Sequence, residues 1–463
     1  MASWLEKIYP YFPPVIQNIG LSLYGILYQQ ERFGKNFKKY ASKFQERDCW
    51  TASQMTAYIE EHLQRLILHA FQKVPYYRKV WQEAGLTIDE LKRITIARLS
   101  LLPILKKEEM RSHSQALLAE GVRRGPSYWT SGSTGTPIVC TYGSEDHRKF
   151  IAAREVRSFG WAGTSLRKPR SMIGGRLVIP RAHSKPPFYR YNYVEKQIYF
   201  SAFHIAPANV PNYVFALNRY RPLVFTGYAY AHYLLGRMML EQNLKLNYEP
   251  DALILGSEKM TQEMKEVIQK AFRARVYEEY GAVENCVLAT ECEGENLHVS
   301  PDFGIVEIVD DQGNPVPAGK EGRILCTGLL NEVQPLIRYD IGDLGIWSEE
   351  KCSCGRDAMP VLKEISGRIE DVVVGSDGRE MVRFHGIFVA LPEILEGQVI
   401  QEEKDFFRVR VVSQSELTDK TRETIRTRFF ERLGIVKVEV ERVPVIERTK
   451  NGKFRAVISR IKK

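Results

Sequence analysis

The stretch YWTSGSTGTP, Tyr128–Pro137, sets hydroxyl side chains on either side of Gly132 and Gly135 and stops at a proline. It is too polar and too flexible to be core. Glycine has no Cβ and lets the backbone approach a ligand closely, while hydroxyls and bare N–H groups are what a phosphate oxygen needs. The same composition would also suit a surface linker. No Lys-Ser/Thr pair closes the stretch, so it is not a Walker-type phosphate loop. The residues downstream have to decide what it does.

At 463 residues the chain exceeds the size at which one core keeps growing, so two or three domains are expected. A hydrophobic content of 44% and a charged content of 26% are ordinary for a globular protein. The net charge of +10 is spread without long basic blocks, which suits an enzyme handling anionic substrates. No zinc-finger or RNA-recognition signature and no basic-aromatic repeat is present, so no nucleic-acid partner is expected. Seven cysteines, odd in number and sparse, point to a reducing compartment, and the cytoplasm is the expected location. The first residues lack both the unbroken apolar run of a membrane span and a cleavage site. Val15–Tyr28 reads as an amphipathic helix that packs on its own domain or lies on a membrane surface.

Strand and helix patterns alternate through the middle of the chain. Helices are expected over Ala52–Phe71, Ser112–Glu120, Glu145–Phe159 and Gln262–Phe272, and strands at Leu253–Leu255 and Ala274–Tyr277. Such alternation implies a largely parallel sheet with helices on its faces and ligands at loops beyond the strand ends. Gly304–Asp310 and Gly322–Thr327 flank the turn Asp311–Pro315, an antiparallel hairpin appended to the main domain. From Ser366 the pattern restarts, with a helix over Leu417–Leu433 between strands at Arg408–Val412 and Lys437–Val443. The expected fold is α/β. A large N-terminal domain (residues 1–367) holds parallel sheets with helices and a small antiparallel barrel-like region, and a small mobile α+β lid spans residues 368–463.

Four further segments accompany the opening loop in order. EYGAVE, Glu279–Glu284, places an aromatic, a glycine and a carboxylate at one strand end. PLIRYDIGD, Pro335–Asp343, sets an acid beside a glycine, suited to a two-point grip on a ribose diol. SGRIED, Ser366–Asp371, sits at the domain connector, and RTKNGKFR, Arg448–Arg455, carries a lysine after a turn. Each is weak alone; their joint order is not.

That order resembles the adenylate-forming superfamily (acyl-CoA synthetases, adenylation domains and luciferase), most of all its phenylacetate-CoA ligase-like and CapK-like branch. The resemblance covers residues 90–463 and implies an ATP-dependent ligase, an acid-thiol ligase of the AMP-forming kind. It implies that Thr130, Ser131, Ser133 and Thr134, with Gly132 and Gly135, hold the ATP β- and γ-phosphates. Tyr280 and Gly281 would lie against the adenine, with Ser257 and Glu258 along its edge. Glu284 would ligate Mg²⁺, and Asp343, helped by Arg368, would bind the ribose. Lys453 would bridge the α-phosphate and the substrate carboxylate, and Glu370 marks the hinge on which the lid turns. His204 and Tyr228 stand near the implied acyl pocket, where a core histidine and a packed aromatic face are the alternatives. One departure is Ile138, where relatives outside this branch carry lysine.

The implied partners are ATP, a small carboxylic acid and coenzyme A or a separate carrier protein. Two other outcomes stay open: transfer to an amine, a carrier thiol or a hydroxyl, and a non-catalytic nucleotide-binding protein. The oligomeric state is open, a homodimer included. Cys292, His298, Cys352 and Cys354 form a Cys₃His set of the kind that closes a structural Zn²⁺ site. The remaining thiols at Cys140, Cys286 and Cys326 read as core.

Overall fold

Alternate side chains of the short strand Ala252–Gly256 enter two different cores. Ala252 and Ile254 pack in one hydrophobic cluster, Leu253 and Leu255 in another. A strand apolar on both faces belongs between two helical layers. In the computed structural model this strand lies inside a twelve-stranded sheet. The structure describes residues 9–130, 138–174, 178–179, 185–258, 260–366, 373–375, 380–381, 387–388, 391, 393–413, 415–447 and 456–461.

In chain order the first strands are β1 (Ser127–Trp129), β2 (Val139–Thr141), β3 (Arg170–Gly174), β4 (Tyr189–Asn192), β5 (Gln197–Ser201), β6 (Val224–Tyr228), β7 (Ala252–Gly256) and β8 (Arg275–Gly281). There follow β9 (Leu288–Glu291), β10 (Leu297–Val299), β11 (Gly304–Val309), β12 (Glu321–Gly328), β13 (Tyr339–Trp347) and β14 (Val361–Ser366). The helices that surround them are α1 (Pro14–Phe33), α2 (Phe37–Arg47), α3 (Ala52–Lys73), α4 (Pro75–Glu83), α5 (Ile88–Leu91), α6 (Lys107–Ser112), α7 (Ser144–Arg154), α8 (Val210–Tyr220), α9 (Ala229–Glu241) and α10 (Gln262–Phe272).

Strands β8, β7, β6, β3 and β5 run parallel, and β4 closes one edge antiparallel to β5. On one face lie α8, α9 and α10, which contribute Tyr213, Leu235 and Phe272. On the other, α2, α3, α4 and α7 contribute Phe44, Leu63, Trp81 and Phe150. The expected appended hairpin, β11–β12, is instead part of the same sheet. β9 pairs with β8 and β10 with β14, so the antiparallel ladder runs on without a break to β11. A separate barrel-like region is therefore corrected to an antiparallel half of one sheet.

Helix α3 shows why the periodicity was readable. Thr51 caps it reciprocally with Gln54, and Met55, Ile59, Leu63, Leu66, Ile67 and Ala70 fall on one buried stripe. Pro75 cannot continue the ladder of α3 and instead opens α4. One expectation needs correction and one refinement. Residues 113–120 are turns, because Ala116 gives its carbonyl to Tyr76 N–H and Ala119 gives its N–H to Val333. The helix expected over Glu145–Phe159 is α7 followed by a π-turn at Glu155–Gly160, where Arg157 turns into a buried ionic cluster.

Beyond residue 372 the described strands are β15 (Val373–Val374), β16 (Glu380–Met381), β17 (Ile394–Glu403), β18 (Phe406–Ser413), β19 (Lys437–Arg442) and β20 (Val457–Ser459), with helix α11 (Asp419–Leu433). β18 and β19 are parallel and joined through α11, and β17 pairs between β18 and β20. Val409, Val411, Ile425 and Phe429 share one core there. Phe203, from the segment after β5, enters that core as well, with the Arg432 guanidinium 5.6 Å from its ring. The division expected at 367/368 lies outside the described residues, as do Arg368, Glu370 and Lys453.

Candidate active site

The parallel strands β5, β6, β7 and β8 all end on one edge of the sheet, and the candidate residues follow those ends. His204 comes after β5, Tyr228 ends β6, Ser257 and Glu258 follow β7, Tyr280 and Gly281 end β8, and Glu284 lies just beyond. Ligands of open α/β sheets sit in the crevice outside the carboxyl ends of the strands. Glycines let neighbours close up here: a Cβ on Gly256 would stand 2.1 Å from the Glu279 carbonyl oxygen. Ser257 adopts φ +69°, a left-handed conformation that a non-glycine residue holds at a cost of order 1–3 kcal/mol.

The opening loop is held at its neck. β1 and β2 pair antiparallel, and the Thr130 N–H donates to the Ile138 carbonyl at 2.9 Å while its Oγ1 accepts the Ile138 N–H at 2.9 Å. Thr130 thus closes the neck of the loop with both its N–H and its hydroxyl oxygen. Residues Ser131, Gly132, Ser133, Thr134 and Gly135 lie outside the described residues. Ile138 is 2% exposed and packs in the core, so an apolar side chain fits where relatives outside the branch carry lysine.

The same hairpin is fastened to the Glu284 segment. The Tyr142 hydroxyl donates to the Val283 carbonyl, and the Cys140 thiol is pushed well up, first by burial and then by the Glu284 charge. Tyr339, at the start of β13, donates its hydroxyl to Glu284 Oε1 at 2.9 Å, and burial together with that carboxylate raises its own proton affinity well above the usual range. Sequence reading missed Tyr339 as a site residue, although it stands within the quoted Pro335–Asp343 segment. A hydroxyl between arginine and aspartate carries no spacing signal of its own.

Tyr280 Oη donates to Asp343 Oδ2 at 2.9 Å, joining β8 to β13 across 63 residues of sequence. Burial, then the Asp343 charge, holds the Tyr280 proton on. One oxygen of Asp343 therefore remains for another donor. Glu258 Oε2 accepts the Tyr230 N–H at 2.9 Å, at the N-terminus of α9. On the acyl side His204 is buried, its Nδ1 2.7 Å from Ser201 Oγ and its ring stacked 5.1 Å from Phe188. Tyr228 is half-buried and gives its carbonyl to His232. Burial pushes His232 down to about 4, which makes it a neutral core residue.

Cys292, His298, Cys352 and Cys354 meet, their ligand atoms all within 4.8 Å of one another. Cys292 Sγ is 3.6 Å from Cys352 Sγ, and Cys354 Sγ is 3.3 Å from His298 Nε2. His298 Nδ1 faces the Met359 carbonyl at 2.9 Å, which holds the proton there and leaves Nε2 free to ligate. Gly294 N–H donates to Cys292 Sγ, as amides around thiolate ligands do. This donor set fits a tetrahedral zinc ion. Cys140, Cys286 and Cys326 are buried elsewhere in the core.

Residues 374–460 match the family model of the CapK C-terminal domain. Protein CapK of Staphylococcus aureus is 24% identical over 99% of this chain and 100% of its own length. A phenylacetate-coenzyme A ligase of Thermus thermophilus is 26% identical over 88% of this chain and 96% of its own. Among solved structures, 2-hydroxyisobutyryl-CoA ligase with 2-HIB-AMP and CoA in the thioesterification state superposes with a TM-score of 0.57 at 22% identity, covering 89% of this chain and 91% of that one. That likeness extends across both the twelve-stranded sheet and the C-terminal module, and shows a shared fold. The chain is thus similar along its full length to CapK and along nearly its full length to a phenylacetate-coenzyme A ligase, two proteins of the CapK and phenylacetate-CoA ligase-like kind, and it shares the fold of an acyl-CoA ligase.

Proposed function

We propose that the chain is an ATP-dependent carboxylate ligase that forms an acyl-adenylate and passes the acyl group to a thiol, that of coenzyme A. The observation that carries this is the convergence of Tyr280–Asp343 and Tyr339–Glu284 beside the neck of the glycine-hydroxyl loop, at one edge of a parallel sheet. The names of the relatives, phenylacetate-coenzyme A ligases among them, support the reaction and make an arylacetic or aromatic acid the first substrate to try. A carboxylate is a poor electrophile because its leaving group would be oxide. Adenylation replaces that group by AMP, and a thiol can then attack. The protein has to position and to supply positive charge, with no covalent nucleophile of its own.

In this proposal residues 1–367 bind nucleotide and acid while residues 368–463 form a lid pivoting at Glu370. The loop 130–135 grips the distal phosphates, Asp343 takes the ribose diol with Arg368, and Lys453 meets the α-phosphate. Glu284 would hold Mg²⁺, which neutralises phosphate charge, and Tyr339 would orient that carboxylate. Pyrophosphate release across a panel of acids tests the adenylation; release with none, despite ATP binding, would leave a non-catalytic nucleotide binder. Mass spectrometry of the product with and without coenzyme A separates the thiol from an amine, carrier or hydroxyl acceptor.

Two expected outcomes follow from the geometry. Tyr339→Phe should raise the Mg²⁺ concentration for half-maximal rate by about 10-fold, the lower end of what loss of an orienting partner costs a metal ligand. The variant should still fold and bind ATP, and an unaltered Mg²⁺ dependence would remove the orienting role. The second concerns Zn²⁺. Protein purified without added zinc should carry about one equivalent by elemental analysis. Cys352→Ser should lose that ion and lower the unfolding midpoint, because the ion would tie the β9–β10 hairpin to the loop before β14. A metal-free wild-type protein of undiminished stability would end the zinc proposal.

A further inference from the structure

Helix α1 is built inside out. Its polar side chains face the protein: Asn18 Oδ1 accepts the Tyr191 N–H at 3.0 Å and Ser22 Oγ accepts the Tyr193 N–H at 2.9 Å, both from the edge strand β4 or the residue after it. Gln17 is buried and donates from Nε2 to the Tyr9 carbonyl at 2.8 Å. Gly25 permits the close approach, since a Cβ there would stand 2.5 Å from Asn192 Nδ2. These bonds cap the exposed edge of the sheet, which would otherwise pair with another chain. The outward ridge is apolar at four-residue spacing: Val15 is 69% exposed, Ile19 52%, Leu23 61% and Leu27 65%. Ile16 and Ile26 widen it. A contiguous apolar patch of this kind on a protein surface marks an interaction site.

Charge chooses the occupant. Directly after α1 and along α2 the chain exposes Lys35, Lys38, Lys39 and Lys43, against Glu46 as the one exposed acid from residue 34 to 47. A second copy docking through α1 about a two-fold axis would bring this basic segment towards its own image, and like charges repel. An anionic bilayer takes both features at once, the ridge among its acyl chains and the lysines at its phosphates. Among the described residues no helix is long and apolar enough to cross a membrane, so α1 would lie in the interface plane. We propose that α1 docks this protein on a membrane surface that carries anionic lipid. This goes beyond the ligase reading and does not rest on it.

The test is sedimentation of the full chain with vesicles of phosphatidylcholine alone or mixed with phosphatidylglycerol. The expected result is binding to the mixed vesicles that weakens as salt rises, and at least about a 10-fold loss of partitioning in Leu23→Glu/Leu27→Glu. Lys38→Glu/Lys39→Glu should lose the preference for phosphatidylglycerol. Because these side chains point outward, the unfolding midpoint of each variant should match that of the wild type, which separates lost docking from lost folding. No binding of the wild type to mixed vesicles at low salt would overturn the proposal. So would a dimer in vesicle-free sedimentation velocity that Leu23→Glu splits.

Discussion

Lys453→Ala is expected to slow adenylate formation by about 10²–10³-fold, the loss seen when one preorganised charge is taken from a site where negative charge gathers. In the proposed reaction the α-phosphorus becomes more crowded with oxygen charge as the carboxylate attacks. A cation that meets this charge only when the lid has closed acts on the transition state more than on bound ATP. Nucleotide affinity should therefore change little, because the loop 130–135, Glu284 and Asp343 are left in place. Pyrophosphate release and equilibrium ATP binding, measured on the same preparation, check both halves. A wild-type rate in the alanine variant would remove the lysine from the mechanism, and with it the convergence of the C-terminal module on the nucleotide.

Asp302→Asn is expected to cost about 3–5 kcal/mol of stability, the loss typical of breaking a buried ion pair from one side. Its carboxylate is fully buried and takes Arg157 at 2.5 and 3.1 Å and Arg47 at 2.5 Å. Arg157 also reaches Asp48 at 2.9 Å, so the cluster ties α2, the π-turn after α7 and the segment before β11. Removing the charge leaves two guanidinium groups facing a neutral amide where water cannot compensate. With total stabilities of roughly 5–15 kcal/mol, this is a large share. Burial alone would raise the Asp302 pKa, but Arg157 and Arg47 hold it below the ordinary value. A depressed carboxylate contributes its stability above the unfolded-state pKa of about 3.9 and loses it as pH falls through the lower folded value. The wild type should therefore lose this contribution only in that acid range, whereas the asparagine variant lacks it at every pH. Denaturant unfolding checks the size; a difference below about 1 kcal/mol would show that the cluster is replaceable.

Much of the fold could be read locally. Gln262–Phe272 was found at its observed bounds, because Thr261 caps it and one face is apolar. The apolar run Leu253–Leu255 marks the strand observed at Ala252–Gly256, and turn chemistry marks Asp311–Pro315. Where backbone partners come from afar, the local pattern misled. Residues 113–120 carry helical spacing, yet the Ala116 carbonyl goes to Tyr76, the Ala119 N–H to Val333 and the Glu120 N–H to Lys73. β8 was read too short for a similar reason, since β9 pairs with Tyr280 and Gly281 and extends it.

The candidate site divides along the same line. Residue types and their order, from the glycine-hydroxyl loop to Asp343, are properties of the sequence, and they are legible because the proposed phosphate, ribose and metal contacts would each need particular donors. Which of them touch is decided by tertiary structure: Tyr280 meets Asp343, and Tyr142 meets the Glu284 segment, although β8 pairs with neither β13 nor β2. The four sulfur and imidazole ligands were visible as a set, but two hairpins had to fold before they could meet. For α1 the sequence determined amphipathicity alone. The direction of its apolar face was decided by tertiary structure, because the unpaired amides of an edge strand bind the polar side chains more specifically than a hydrophobic core could have bound the other side.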